Sequence, residues 1–516
     1  MMQSNELKLL RQTVLTPVSL PEPVQEQSIE LDYVLPDYYP DFFRMLHCSA
    51  ETDITHQQYR DGVLEYSMSV RLRVLYCAQD SNAVQAVTQQ LDYTRQFPMP
   101  AAVTESMGTP CFRLTADTAY LNCRAVSSRR IDLRGAVRVT VQVCAEQSRE
   151  VIAGAEGMHI QTKTEPVTFV SRMLRAEKRF TLSEQMQIPP AQPPLLAILR
   201  DEVRLRVNDT RIAAGKLICK GEAAVTLLYA ASDGIETVQA VFPFSQIAET
   251  DGLRDDMPLN VSARLNSRLY TPQAEGDGDV RTVMCDLQIT LCGEAAETAS
   301  AELLTDAFST VYPVTMQQEM LPLLTAPVPV SESTRVRSVL SKPDTALMKV
   351  YAAWAEPVNV RTAPDTENGG TAVSGELRTC VLAADADGVP QMLEDSVPFT
   401  WSIRAEAGCL PEITVPGCSY TLTGADSVTV QTELAVSGYM TGQSPREVVT
   451  ALSANADAGM PDGTEYALRL YFGQPDESLW EIAKRFRTVP DAVRAENDCP
   501  GDTLTAAQML LIPNVK

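Results

Sequence analysis

Three histidines and twelve cysteines are the side chains of this 516-residue chain best suited to nucleophilic, acid–base or metal chemistry. His47, His56 and His159 lie outside any HExxH or HxH spacing that would bring two imidazoles onto one ion, and none belongs to a Ser or Cys triad-like context. His47 adjoins Cys48, but neighbours on a strand point to opposite faces. The tightest cysteine pairs, Cys285 with Cys292 and Cys409 with Cys418, have neither zinc-knuckle nor CxxC spacing. Several cysteines alternate within apolar strand patterns, the habit of buried free thiols in a reducing compartment. The "GAEG" at 154–157 lacks the Lys-Ser/Thr of a phosphate loop, and "GDGD" at 276–279 reads as a turn. A chain without catalytic residues, cofactor or metal is therefore expected, and its work must be binding.

The elements available to position a binding surface are repeated. "LPDYYPDFFRML" at 35–46 recurs as "IPPAQPPLLAIL" at 188–199, an offset of 153. Two prolines set an extended lead-in, and the apolar run after the second begins a short helix or strand. The aromatic trio Tyr38, Tyr39 and Phe42 of the first copy is replaced by Ala191, Gln192 and Leu195 in the second, which favours a structural role over an exposed patch.

Each copy continues into a period-two pattern. Leu64, Tyr66, Met68, Val70, Leu72, Val74 and Tyr76 alternate with polar residues, the mark of a long strand with one buried face. At the same offset Gly215, Leu217, Leu227 and Tyr229 fall under Gly62, Leu64, Val74 and Tyr76, and a weaker third copy places Gly369 and Gly375 under Gly215 and Gly221. A second strand-rich half follows in each copy, at 131–146, 283–294 and 428–439. The pattern predicts a mainly β fold of three tandem antiparallel β-sandwich-like modules at 34–160, 161–320 and 321–440, after an N-terminal arm of 1–33. A flexible linker is expected at 441–465.

From residue 466 the pattern becomes strand, helix, helix, strand. Ser478 three residues before Glu481 forms a capping box, with Leu479, Ile482, Ala483 and Phe486 at helical spacing. Thr488 three before Asp491, with Pro490 between, signals a second helix start, and "QMLLIP" a closing strand. Charge singles out this segment. The chain carries 43 basic against 66 acidic residues, a net of −23, which disfavours nucleic acid and anionic lipid as partners. Residues 466–516 are nearly neutral, with Lys484, Arg485 and Arg487 beside Trp480, a grouping suited to a protein interface. The first fifteen residues hold no apolar block of signal-peptide or membrane-span length, so an unexported chain with no membrane span is expected.

Ser478, Leu479, Trp480, Ile482, Ala483, Asn497, Leu511, Ile512 and Pro513 resemble the LysM family, with Asp476 and Glu477 where that family has Gly-Asp. The resemblance implies a small βααβ domain at 466–516. It also implies a groove for N-acetylglucosamine polymers between Asp476, Glu477 and Ser478 on one side and Asn497, Asp498, Gly501 and Asp502 on the other. The repeats, through "LPDYYPDFFRML", "NCRAVSSRRIDLRGAVRV" and "DAFSTVYPV", are similar to the SPOCS modules of spore-coat morphogenetic proteins. That similarity implies a scaffold on the mother-cell side of the forespore, with a SpoIVA-like coat ATPase and other coat proteins as partners.

Overall fold

The structure is a computed structural model that describes residues 6–18, 20, 23–79, 83–105, 107–232, 234–274, 278–365, 369–404, 413–458 and 468–515. It is mainly β, and among the described residues every strand pair is antiparallel. The first group of strands comprises β1 (Lys8–Pro17), β2 (Val24–Val34), β3 (Phe42–Arg60), β4 (Val63–Ala78) and β5 (Val84–Pro98), the single-turn α1 (Ala101–Thr104), β6 (Met107–Ser127) and β7 (Arg130–Glu156). The second contains β8 (Ile160–Gln187), β9 (Ala197–Ala213), β10 (Lys216–Ala231), β11 (Gly234–Glu249), β12 (Leu259–Ala274) and β13 (Val280–Ser309). In the third are β14 (Val314–Ser341), β15 (Leu347–Pro364), β16 (Thr371–Asp385), β17 (Pro390–Ile403), β18 (Ile413–Leu422) and β19 (Ser427–Ala454). The chain closes with β20 (Leu468–Gly473), α2 (Leu479–Phe486), α3 (Pro490–Glu496) and β21 (Gln508–Pro513).

One topology is drawn three times. A meander (β3-β4-β5, β9-β10-β11, β15-β16-β17) faces a second sheet in which the last strand lies between the first and the fifth (β2-β7-β6, β8-β13-β12, β14-β19-β18). The alternation seen in sequence fills the space between: Leu64, Tyr66, Met68, Val70, Leu72, Val74 and Tyr76 share a core with Leu133, Val137, Val139 and Val141. Equivalent cores form around Val225, Leu227, Leu287 and Ile289, and around Val373, Leu377, Leu434 and Val436.

Repeated residues recur in repeated geometry. Gly62, Gly215 and Gly369 turn the first meander hairpin at φ of 78°, 72° and 71°, a region that suits glycine. The Tyr76 hydroxyl donates to the Pro40 carbonyl at 2.9 Å and the Tyr229 hydroxyl to the Pro193 carbonyl at 3.1 Å. Arg129 donates to the Pro36 and Leu35 carbonyls, as Arg281 does to those of Gln192 and Pro189. The proline-spaced segment is thus a turn whose carbonyls are collected by an arginine and a tyrosine, and the apolar run after it enters strand β3 or β9. Phe42 is buried while Tyr38 and Phe43 are exposed.

Two expected boundaries are corrected. The N-terminal arm is strand: β2 pairs with the first half of β7 and β1 with its second half, so β1 and β2 together occupy the place that β8 and β14 fill in the other groups. The expected linker at 441–465 continues β19 to Ala454, paired with β14; residues 459–467 lie outside the described residues. Pro445 and Gly442 make that stretch read as a loop. In a two-stranded ribbon half of the amides face away from the partner, so proline is tolerated, and Pro445 sits opposite Pro322.

These extensions form three ribbons, β1 with the end of β7, the start of β8 with the end of β13, and the start of β14 with the end of β19. They pack on one another through Val14, Val151, Phe169, Leu303, Leu321 and Val448. A second shared cluster joins the three meanders: Leu75 and Val84 meet Leu199, Leu228 and Ile235, and both meet Trp354, Cys380 and Leu382. The three groups are therefore packed around common cores rather than strung out as separate beads.

Between the first two groups lies a buried ionic network. Asp201, 3% exposed, faces Arg71 and Arg73 across the boundary and Arg268 within its own group, while Glu51 faces Arg73 within the first group and Arg268 across the boundary. Burial alone would raise the Asp201 pKa, but the guanidiniums of Arg268, Arg73 and Arg71 overcome it and hold the carboxyl at about 2.

Candidate functional site

The segment that sequence singles out for binding folds as β20-α2-α3-β21, with β20 and β21 paired from Leu468↔Pro513 to Gly473↔Gln508. Ser478 caps α2, its hydroxyl accepting from the Glu481 amide at 3.1 Å. Arg487 ends the helix in the left-handed region at φ 53°. Leu479, Ile482 and Ala483 bury themselves against Val493, Leu504, Leu510 and Ile512. The second start signal is corrected: α3 begins after Val489 with no side-chain cap. Thr488 is buried, and its hydroxyl donates instead to the Pro513 carbonyl at 2.5 Å, tying the helix connection to the last strand.

The expected partner face is divided by the fold. Trp480 and Lys484 turn toward the end of β13, where Asp306 receives both: Trp480 Nε1 donates at 2.7 Å and Lys484 Nζ at 2.7 and 2.8 Å to its two oxygens. Phe308, two residues on, meets the Trp480 ring edge-on at 5.0 Å and belongs to the C-terminal unit's own core. Trp480 and Lys484 thus dock the unit onto the second ribbon. Arg485 folds back onto Tyr471 at 2.6 Å and Glu477 at 3.4 Å, and Arg487 is exposed. An interface composition was legible in sequence; that the chain itself supplies the other half was not, because Asp306 lies 174 residues before Trp480.

The expected groove residues are brought together in part. Ser478 bridges Thr503, the Asp476 amide donates to the Leu504 carbonyl at 2.9 Å, and the Leu479 amide to that of Asp502 at 2.8 Å, so the two loops lie side by side. Several of their side chains are engaged internally. Glu477 accepts from the Gln474 amide and the Tyr471 hydroxyl, contacts that in that order hold its carboxyl below the ordinary range. Asn497 clamps β21, its amide nitrogen donating to the Leu511 carbonyl at 2.7 Å while its oxygen accepts from the Leu511 amide at 2.6 Å. Asp502 pairs with Arg494. Asp476, Asp498 and Gly501 are exposed.

A surface not anticipated from spacing lies on the outer side of the β20/β21 ribbon. Leu468, Leu470 and Phe472 alternate outward, and Met509 stands opposite Phe472; all four are exposed, while Leu510 and Ile512 point inward. The period-two signal was present in "LRLYF", but which of its faces stays uncovered depends on packing.

Comparison with known families matches residues 195–267, the meander β9-β10-β11 and the first half of β12, to the family described as SipL, SPOCS domain. No curated protein and no solved structure matches the chain. Among the described residues, no helix is long and apolar enough to cross a membrane.

Proposed function

We propose that this protein is a non-enzymatic scaffold of endospore formation, which recruits or anchors spore-coat proteins at the forespore surface from the mother-cell cytoplasm. The observation that carries the reading is the likeness of residues 195–267 to the SipL, SPOCS domain. That likeness falls on a meander drawn three times in the chain, which supports reading all three groups as β-sandwich modules of one kind. The terminal unit, with its βααβ order, is read as a LysM-like cap that binds protein, a SpoIVA-like coat ATPase being the partner of choice. With Trp480 and Lys484 engaged by Asp306, the partner meets the exposed apolar side of β20/β21 and Arg487.

The test is a fluorescent fusion of the full chain in sporulating cells. It should encircle the forespore, and the ring should be lost on deletion of residues 466–516; a diffuse full-length fusion would refute the scaffold role. In pull-downs, Leu470→Asp with Arg487→Glu should reduce capture of the ATPase without altering the circular dichroism. The competing reading, a binder of peptidoglycan or N-acetylglucosamine oligomers, predicts saturable chitin-oligomer binding that Asp502→Ala weakens. It is disfavoured by the internal engagement of Glu477, Asn497 and Asp502.

A further inference from the structure

Cys380 and Glu394 stand directly opposite each other in the β16/β17 ladder, so their side chains leave one face of the sheet together. Onto that face comes His47 of β3, from the first group of strands, with Nδ1 2.5 Å from Glu394 Oε1. The imidazole nitrogen, the thiol sulfur and the carboxylate oxygen all lie within 4.8 Å of one another. We propose that His47, Cys380 and Glu394 form a three-ligand site for a borderline-soft divalent cation of the zinc type, which latches the first group of strands to the third.

Donor chemistry supports the assignment. Imidazole, thiolate and carboxylate are the set that zinc accepts, with bonds of about 2.0–2.3 Å. A tetrahedral ion with such bonds holds its ligands roughly 3–4 Å apart, within reach of small rotamer changes here. The three donors are also graded in exposure. Cys380 is 2% exposed at the floor, the His47 side chain 11% and that of Glu394 46%, leaving a fourth position toward solvent. All three project from strands, which define ligand positions better than loops do. The His47 ring is seated edge-on against Trp354 at 5.6 Å, and Trp354 in turn lies under the Arg200 guanidinium at 4.8 Å.

The charges around the site are mixed. Glu356 joins Glu394 in facing Cys380, with Arg200 and Arg378 as the opposing cations. Burial, then the two carboxylates, push the Cys380 thiol above its ordinary pKa, so it is protonated when no cation is bound. Binding forms the S–metal bond and releases that proton to solvent. No local motif could announce the site, because 347 residues separate His47 from Glu394.

The experiment uses the reduced full chain, stripped with chelator and titrated with Zn2+ by calorimetry, with Co2+ as spectroscopic probe. One Zn2+ per chain is expected, and His47→Gln, Cys380→Ser and Glu394→Gln should each weaken it at least about tenfold, the loss typical of even indirect ligand perturbations. A cobalt–thiolate charge-transfer band should appear in the wild type and in Cys418→Ser and vanish in Cys380→Ser. Glu394→Gln, at an exposed position, gives a readout that does not depend on tolerance of a core change. Absence of stoichiometric Zn2+ binding, or a cobalt band that survives Cys380→Ser, would overturn the proposal.

Discussion

Replacing Asp306 by alanine should release the C-terminal unit from the second ribbon. The Asp306 carboxylate accepts from Trp480 Nε1 and from Lys484 Nζ. A hydrogen bond to a charged acceptor contributes about 1.5–3 kcal/mol. The ion pair is worth less, since the Lys484 side chain is 40% exposed, and is discounted to about 0.5–1 kcal/mol. The sum, about 3 kcal/mol, lowers the ratio of docked to undocked forms roughly a hundredfold. Asp306→Asn keeps an acceptor for Trp480 and loses the charge, so its effect should be smaller. The chain has three tryptophans, which suits fluorine-labelled tryptophan NMR. The Trp480 resonance, assigned with Trp480→Phe, should move toward its solvent position in Asp306→Ala, while those of Trp354 and Trp401 stay. Hydrogen exchange at residues 305–309 and in α2 should rise together. If the Trp480 signal and both exchange rates match those of the wild type, the docking contact is not what holds the unit in place.

Asp201→Asn leaves Arg71, Arg73 and Arg268 facing one another without their central carboxylate and should cost about 3–5 kcal/mol, read as a lowered thermal midpoint. The Asp201 carboxyl titrates at about 2 in the folded chain, below its ordinary value of 3.8, so its contribution is complete above about pH 4 and drains as pH falls toward 2. Asp53, whose carboxyl burial raises, acts in the opposite sense. Acid unfolding should therefore be steeper in the wild type than in Asp201→Asn over that window. Tyr76→Phe and Tyr229→Phe each remove one hydroxyl from a proline carbonyl and should each cost about 1 kcal/mol in denaturant titrations; clearly unequal losses would deny that the two turns are equivalent. At Gly221 an added Cβ would lie 2.4 Å from both the Arg206 carbonyl oxygen and the Phe244 ring, against 3.0 Å for the nearest atom at Gly375. Gly221→Ala should then destabilise by about 1–3 kcal/mol and Gly375→Ala by less, as compared by thermal melts.

What could be read in advance was whatever repeats locally. Period two exposed the buried faces of β4, β7 and β13, since alternation on a strand is a local property of the backbone. The Ser478 cap was legible because a capping hydrogen bond spans three residues. Thr488 reads as a cap in sequence yet acts as a tether, because the same residue type serves either purpose and only the nearness of Pro513 decides between them. The stretch around Pro445 reads as a linker in sequence because its partner, β14, lies more than a hundred residues away.

The amino-acid order alone determined a mainly β chain, thrice repeated, with a capped helical unit at its end. These are consequences of side-chain alternation and turn chemistry within a few residues of each site. Only the tertiary structure decided that the repeats share common cores, that Trp480 and Lys484 are met by Asp306, and that His47 reaches Cys380 and Glu394. Such encounters join strands distant in the chain, and they depend on register and inter-sheet packing, which no local window of sequence contains.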